Sequence, residues 1–198
     1  MRYIILGSKG FVGKALYEEL LTNSDLEIVG LSREQVDLLS NKDLNSIKHI
    51  FKNGDNIIFC AAEAPVKNLN MFSNNIIMLN NLIEQLSDIK IKSFVYLSSD
   101  AVYSDSLSVI NENNKTNPEN LHGLMHLSRE KIVKLFFPSV HLILRPTLIY
   151  GYEDPHKGYG PNKFIETAIR NKKIEIFGNG EELRDHINIK DVVQFSKK

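Results

Sequence analysis

Short, nearly continuous apolar runs alternate along the chain with stretches whose apolar residues recur at helical spacing. The runs fall at residues 3–6, 27–31, 56–61, 93–98 and 140–144. Their length and their Ile, Val and Phe content predict strands covered on both faces. Helical spacing occupies residues 10–21, 41–51, 71–86 and 122–136. Such alternation predicts a parallel sheet with helices on both sides, and right-handed crossovers make it doubly wound. Residues 104–120 are polar and Asn-rich and predict a surface loop. After Gly151 the pattern changes: a loop at 158–161, a helix at 163–171, a strand at 173–177 and a turn at 178–180. The expected division is a dinucleotide-binding core domain over 1–150 and, over 151–198, a small appendage, a partial substrate-side region that returns to the core.

Gly7-Ser8-Lys9-Gly10-Phe11-Val12-Gly13 follows the first strand and opens the first helix. Glycines there let the backbone turn sharply and approach a pyrophosphate, whose charge then sits on the helix N-terminus. This context makes the core a Rossmann dinucleotide-binding unit, with Gly7, Lys9, Gly10, Phe11, Val12 and Gly13 as cofactor residues. The second strand ends Gly30-Leu31-Ser32-Arg33, with no acid to grip a ribose 2′-hydroxyl. Ser32 and Arg33 suit a 2′-phosphate instead, which favours NADP and leaves NAD open.

Composition adds exclusions. The 198 residues are 42% hydrophobic and 24% charged, enough for a sizeable core. Twenty-four basic and 24 acidic side chains balance to zero, so no nucleic-acid partner is expected. Cys60 is the single cysteine, which excludes an internal disulfide and suits a reducing, cytoplasmic setting. It lies in an apolar run and reads as a buried small hydrophobe. A strand at the very start leaves no room for a signal peptide, and no apolar run reaches the roughly 20 residues of a membrane helix.

Several motifs together resemble the extended short-chain dehydrogenases/reductases, the epimerase/dehydratase class. They are the G-x-x-G-x-x-G loop, Ser98-Ser99-Asp100-Ala101-Val102-Tyr103, Leu144-Arg145-Pro146-Thr147 and Arg184-Asp185-His186 through Val193. The wording at Asp100 is close to the dTDP-4-dehydrorhamnose reductase branch. The resemblance covers about residues 3–195 and implies hydride transfer on a nucleotide-linked sugar. It adds Asp37 and Leu38 as an adenine-edge contact, Cys60, Ala61 and Ala62 as the small-residue turn beside the cofactor, and Pro146. It places Ser99 at the catalytic hydroxyl, and Asn162 and Arg184 on the substrate nucleotide. It also implies a homodimer through the helices at 71–86 and 122–136. The family's usual length is near 300 residues, and the segments that finish its sugar pocket are absent from these 198, so the expectation is a more open pocket, a pocket completed by a partner, or an incomplete chain.

One departure stands inside this frame. The family's Tyr-x-x-x-Lys reads His122-Gly123-Leu124-Met125-His126 here. Tyr159-x-x-x-Lys163 spells the motif, but it falls in the substrate loop, far beyond Ser99. A His has a pKa near 6.5 and needs no cation to act at neutral pH. His122 as proton carrier, with a neutral His126 replacing a fixed cation, is therefore coherent chemistry, and activity would follow an ionisation near neutral pH. The competing expectation is a dinucleotide-binding module, sensing or docking, that has lost catalysis. Two His at i and i+4 also allow a metal, but the Glu of His-Glu-x-x-His is missing and none is expected.

Overall fold

The computed structural model describes residues 1–47, 49–155, 160–171, 173–174, 176, 178–181 and 183–196. Five strands form one parallel sheet: β1 (Arg2–Leu6), β2 (Glu27–Leu31), β3 (Asn56–Phe59), β4 (Ser93–Leu97) and β5 (His141–Leu144). Their order is β2-β1-β3-β4-β5. The chain leaves β1 toward opposite sides at β2 and β3, which opens a crevice at the carboxyl ends of the strands there. Helices α1 (Phe11–Leu21), α2 (Asn41–Ile47), α3 (Leu69–Gln85) and α4 (Leu121–Phe136) make the crossovers.

Alternation along the strands divides the core in two. Ile4, Leu6, Ile57, Phe59, Phe94 and Tyr96 face one side and pack with Leu79 and Leu82 of α3 and Val133 of α4. Ile5, Ile58 and Val95 face the other, against Leu16 and Leu20 of α1. Burial on both faces explains the unbroken apolar runs. The predicted strands agree with this sheet to within one or two residues at each end. The helix expected over 41–51 ends at Ile47. Phe51 beyond it is still buried in the core, so apolar spacing continued where the helix did not.

The appendage differs more from expectation. Strands β6 (Leu148–Tyr150) and β7 (His186–Asn188) pair in parallel as a second sheet. Helix α5 (Gly160–Asn171) connects them, and α6 (Ile189–Ser196) follows. Val192 and Val193 of α6 are buried with Ile5, Leu16 and Leu20, so the chain returns to the main core. Three-residue strands carry too little pattern to read from sequence. The strand expected over 173–177 is absent at the described positions 173, 174 and 176; Glu175 and Phe177 lie outside the described residues, as do Gly158 and Tyr159 of the expected loop. The turn at 178–180 is present.

Candidate functional site

Just past the carboxyl end of β1, Gly7 adopts φ +88°, and a Cβ there would sit 2.8 Å from the Ala61 amide nitrogen. Gly10 caps α1 without a side-chain hydrogen bond. A Cβ on Gly13 would lie 2.1 Å from the Gly7 carbonyl oxygen. The first turn of α1 is thus pressed against the loop, and its free N–H groups and dipole make an anion seat. A cavity of ≈ 340 Å³ adjoins it, lined by Gly7, Lys9, Gly10, Ser32, Arg33, Asp37, Leu38, Cys60, Ala61 and Ala62. Leu6, Leu31, Val36, Leu39, Glu63 and Met78, which the sequence reading did not include, line it as well.

Two features decide what this cavity fits. Ser32 is 3% exposed, and its Oγ has no hydrogen-bond partner among the described residues. A buried hydroxyl without a partner is costly, and one in a cavity wall suits a polar ligand atom. Arg33 lies 3.4 Å from Asp37 and 3.7 Å from Glu63, so its guanidinium is shared with two carboxylates at the mouth. Lys9 meets Glu34 at the rim. Together these groups offer N–H donors, a buried hydroxyl and a guanidinium to a polar, anionic ligand. Burial pushes the Cys60 thiol up to about 12, so it stays protonated and inert.

A second cavity of ≈ 1210 Å³ continues from the first; Gly10, Cys60 and Ala62 line both. Its walls include Phe11, Val12, Gly13, Ser99, His122, His126, Pro146 and Arg184. The structure therefore brings together the glycine loop, the serine turn and both histidines. Asn162 does not line either cavity; its side-chain N–H groups go to Gly151 O at 2.8 Å and Asp154 Oδ2 at 2.9 Å.

Ser99 caps a single 3₁₀ turn (Asp100–Val102), accepting the Ala101 N–H at 3.2 Å and donating to Asp100 Oδ1 at 3.1 Å. Helix α4 is capped by Asn120, which accepts the Gly123 N–H at 2.9 Å. Gly123 is required by contact, since a Cβ would lie 1.9 Å from Ala101 O. That contact brings His122 to the serine turn. His122 is half-buried, and its Nδ1 is 3.5 Å from the Val66 N–H, at the outer limit of a hydrogen bond. Burial lowers its pKa below 6.5, against a smaller raising effect of Asp100. The rings of His122 and His126 meet edge to face at 4.7 Å. His126 is 5% exposed, and burial, with His122 and Arg129 nearby, lowers its pKa to about 2. Both imidazoles are neutral at physiological pH.

Sequence reasoning missed the groups behind this pair. Tyr96 of β4 hydrogen-bonds His126 Nδ1 at 2.8 Å. Arg129 is fully buried, lies 4.9 Å over the Phe59 ring and donates to the carbonyls of Ala61 and Asn75. Replacing Lys by His was expected to avoid a fixed cation beside His122; Arg129 places a cation near His126 instead, while His122 responds to burial and to Asp100. Glu130 forms a second buried cluster. Arg145 grips it through two hydrogen bonds of 2.8 and 2.6 Å, Ser98 Oγ donates to it at 2.7 Å, and Arg145 reaches the Tyr103 hydroxyl at 2.6 Å. This cluster ties the ends of β4 and β5 to α4. A buried charge on a helix at i+3 or i+4 from a key residue was the available signal. Among the described residues, no group of three or more His, Cys, Asp or Glu is arranged to hold a metal, and no helix is long and apolar enough to cross a membrane.

Known proteins share this arrangement of elements. The chain is 27% identical to an uncharacterized UDP-glucose epimerase, YtcB, of Bacillus subtilis (strain 168), over 98% of this chain and 71% of the relative. It is 27% identical to the dTDP-D-glucose 4,6-dehydratase of Dictyostelium discoideum, over 97% of this chain and 54% of that protein. The solved UDP-glucuronic acid 4-epimerase from Bacillus cereus in complex with NAD superposes with a TM-score of 0.84, at 23% identity, over all of this chain and 72% of that one. At that identity the likeness is one of fold. The chain therefore spans about half to seven-tenths of the length of these proteins. The model of the NAD dependent epimerase/dehydratase family matches residues 3–197, and the chain belongs to that family.

Proposed function

We propose that this chain binds NAD(P) along the crevice and acts on a nucleotide-linked sugar by hydride transfer, as an epimerase, dehydratase or reductase. The observation that carries it is the continuity of the two cavities, from the glycine loop to Ser99 and His122. Bound there, the nicotinamide would accept or return a hydride at a sugar carbon. Ser99 Oγ would polarise the sugar oxygen. His122 would take and return the hydroxyl proton, because it is neutral at physiological pH and lines the same cavity. Burial moves the governing ionisation to the acid side of 6.5, rather than near neutral. Activity is then present above that pKa and lost as the pH falls through it.

NADP is the proposed preference. The unpartnered Ser32 Oγ and the absence of an acid at the end of β2 support it. Asp37 and Glu63 oppose it by holding Arg33, so the margin over NAD is small. Arg184 is the proposed diphosphate contact, with residues 151–198 as the substrate side. Asn162 would serve by bracing Gly151 and Asp154. A homodimer through α3 and α4 is part of the proposal; exposed Ile77, Leu124, Leu135 and Phe136 lie on those helices.

A second reading has its own support. Ser99 Oγ is engaged with Ala101 and Asp100 within its own turn. This suits a dinucleotide-binding module without turnover. Incubation with UDP- and dTDP-sugars and either cofactor separates the two. Turnover that His122→Ala abolishes, with cofactor affinity kept, supports the enzyme; cofactor binding with no sugar converted supports the module.

A further inference from the structure

The loop after β3 carries a carboxylate into the wall of the first cavity, and α3 holds it there. Asn75 of α3 is fully buried, and its amide is spent on the peptide groups of residue 63. Its Oδ1 accepts the Glu63 N–H at 3.1 Å, and its Nδ2 donates to the Glu63 carbonyl at 3.0 Å. The other N–H of that amide goes to Met71 O at 2.8 Å, so Asn75 has no donor left. Asn74 donates to Glu63 Oε2 at 3.1 Å. The backbone of Glu63 and one of its carboxylate oxygens are thereby fixed. The other oxygen, Oε1, lies 3.7 Å from Arg33 Nη1, beyond hydrogen-bond distance. Glu63 shares the cavity wall with Ser32, Arg33 and Asp37.

We propose that Glu63 is the ribose selector of this cavity, standing in for the carboxylate that the end of β2 lacks: its Oε1 accepts a ribose hydroxyl, and its charge opposes a 2′-phosphate on Arg33. A hydroxyl has a proton to give to a carboxylate, whereas a phosphate dianion has none and brings like charge. Arg33 stands between Asp37 at 3.4 Å and Glu63 at 3.7 Å, so one guanidinium faces two carboxylates. Asp37 Oδ1 is already taken by the Leu39 N–H at 3.0 Å, which leaves Glu63 Oε1 as an acceptor open to a ligand. A solvated Glu could swing away from an incoming phosphate. Glu63 is kept in place by Asn75 through its peptide groups and by Asn74 through its side chain. This role rests on the dinucleotide reading of the crevice, and it assigns the small margin between NADP and NAD to a residue. Asn74 and Asn75 are positioning residues, acting through Glu63.

The test is calorimetric titration of the full chain with four probes: NADPH, NADH, adenosine 2′,5′-bisphosphate and 5′-AMP. Glu63→Gln removes the charge, keeps the size and still accepts the Asn74 N–H. It should tighten NADPH and the bisphosphate by about 10-fold and weaken NADH and 5′-AMP by no more than about threefold. The gain should shrink as salt is raised, because the Arg33 end is exposed to solvent. Asn74→Ala keeps the charge but releases the side chain, and should give a smaller gain in the same direction. A Glu63→Gln chain with the wild-type ratio of NADPH to NADH affinity overturns the selector. So does a variant that shifts all four probes alike, which would mark Glu63 as structural. Wild-type chain that binds none of the probes overturns the dinucleotide reading and the selector with it, whereas binding with an unmoved ratio overturns the selector alone.

Discussion

The two ends of the crevice are built alike and work differently. Each has a helix whose early glycine presses on a carbonyl: Gly13 of α1 on Gly7, and Gly123 of α4 on Ala101. At the α1 end the groups offered to a ligand are backbone N–H groups, and their charge is fixed by helix geometry. At the α4 end they are side chains, Ser99, His122 and His126. Their protonation depends on residues from β4, from α4 itself and from the serine turn. A backbone site follows from where glycines fall, whereas a side-chain site follows from its neighbours in space.

If that contrast holds, damage to the support of α4 should leave the loop intact. Glu130 is 1% exposed and ion-paired to Arg145. Glu130→Ala strands that guanidinium and should cost about 3–5 kcal/mol. Urea unfolding should show the loss, and the surviving folded protein should still bind cofactor. Damage to the loop should do the reverse. Gly13→Val pushes α1 away from Gly7 and should weaken dinucleotide binding by more than about 100-fold, or about 2.7 kcal/mol. Titration should detect it.

Acid should act on the α4 end through both histidines. Their folded-state pKa values lie below 6.5, so below 6.5 the unfolded chain binds more protons than the native one. Stability is therefore full above about pH 6.5 and falls as the pH drops. Each His that stays neutral contributes a loss of about 1.4 kcal/mol per pH unit. Denaturant midpoints at pH 7, 6 and 5 measure this, and His126→Gln should flatten the slope. The smallest expected effect is at the loop's rim. Arg33→Ser should lower NADPH affinity by roughly 10-fold and leave NADH nearly unchanged, since only the 2′-phosphate would lose a partner. Equal losses for both would remove Arg33 from the NADP proposal.

Most of the fold was legible because strands covered on both faces are written as unbroken apolar runs, as at Ile57–Phe59 and Phe94–Leu97. The glycine loop was legible because its constraints are local. Strands β6 and β7 were not, being three residues each, with pairing across the length of α5. The second layer of the α4 end was hidden for a related reason. Tyr96 looks like one more apolar strand residue, and nothing local marks Arg129 or Glu130 as buried. Only the packing of α4 on the sheet shows that all three are buried. The expectation that His126 removes a fixed cation from the site could not include Arg129, because its burial is a property of the fold.

If the crevice from Gly7 to His122 is a dinucleotide site, calorimetric titration of the wild-type chain with NADPH, and with NADH as comparator, should give saturable binding of both, tighter for NADPH. Absence of binding by either would overturn that reading and leave the glycine loop and the Ser32 wall as structure without a ligand.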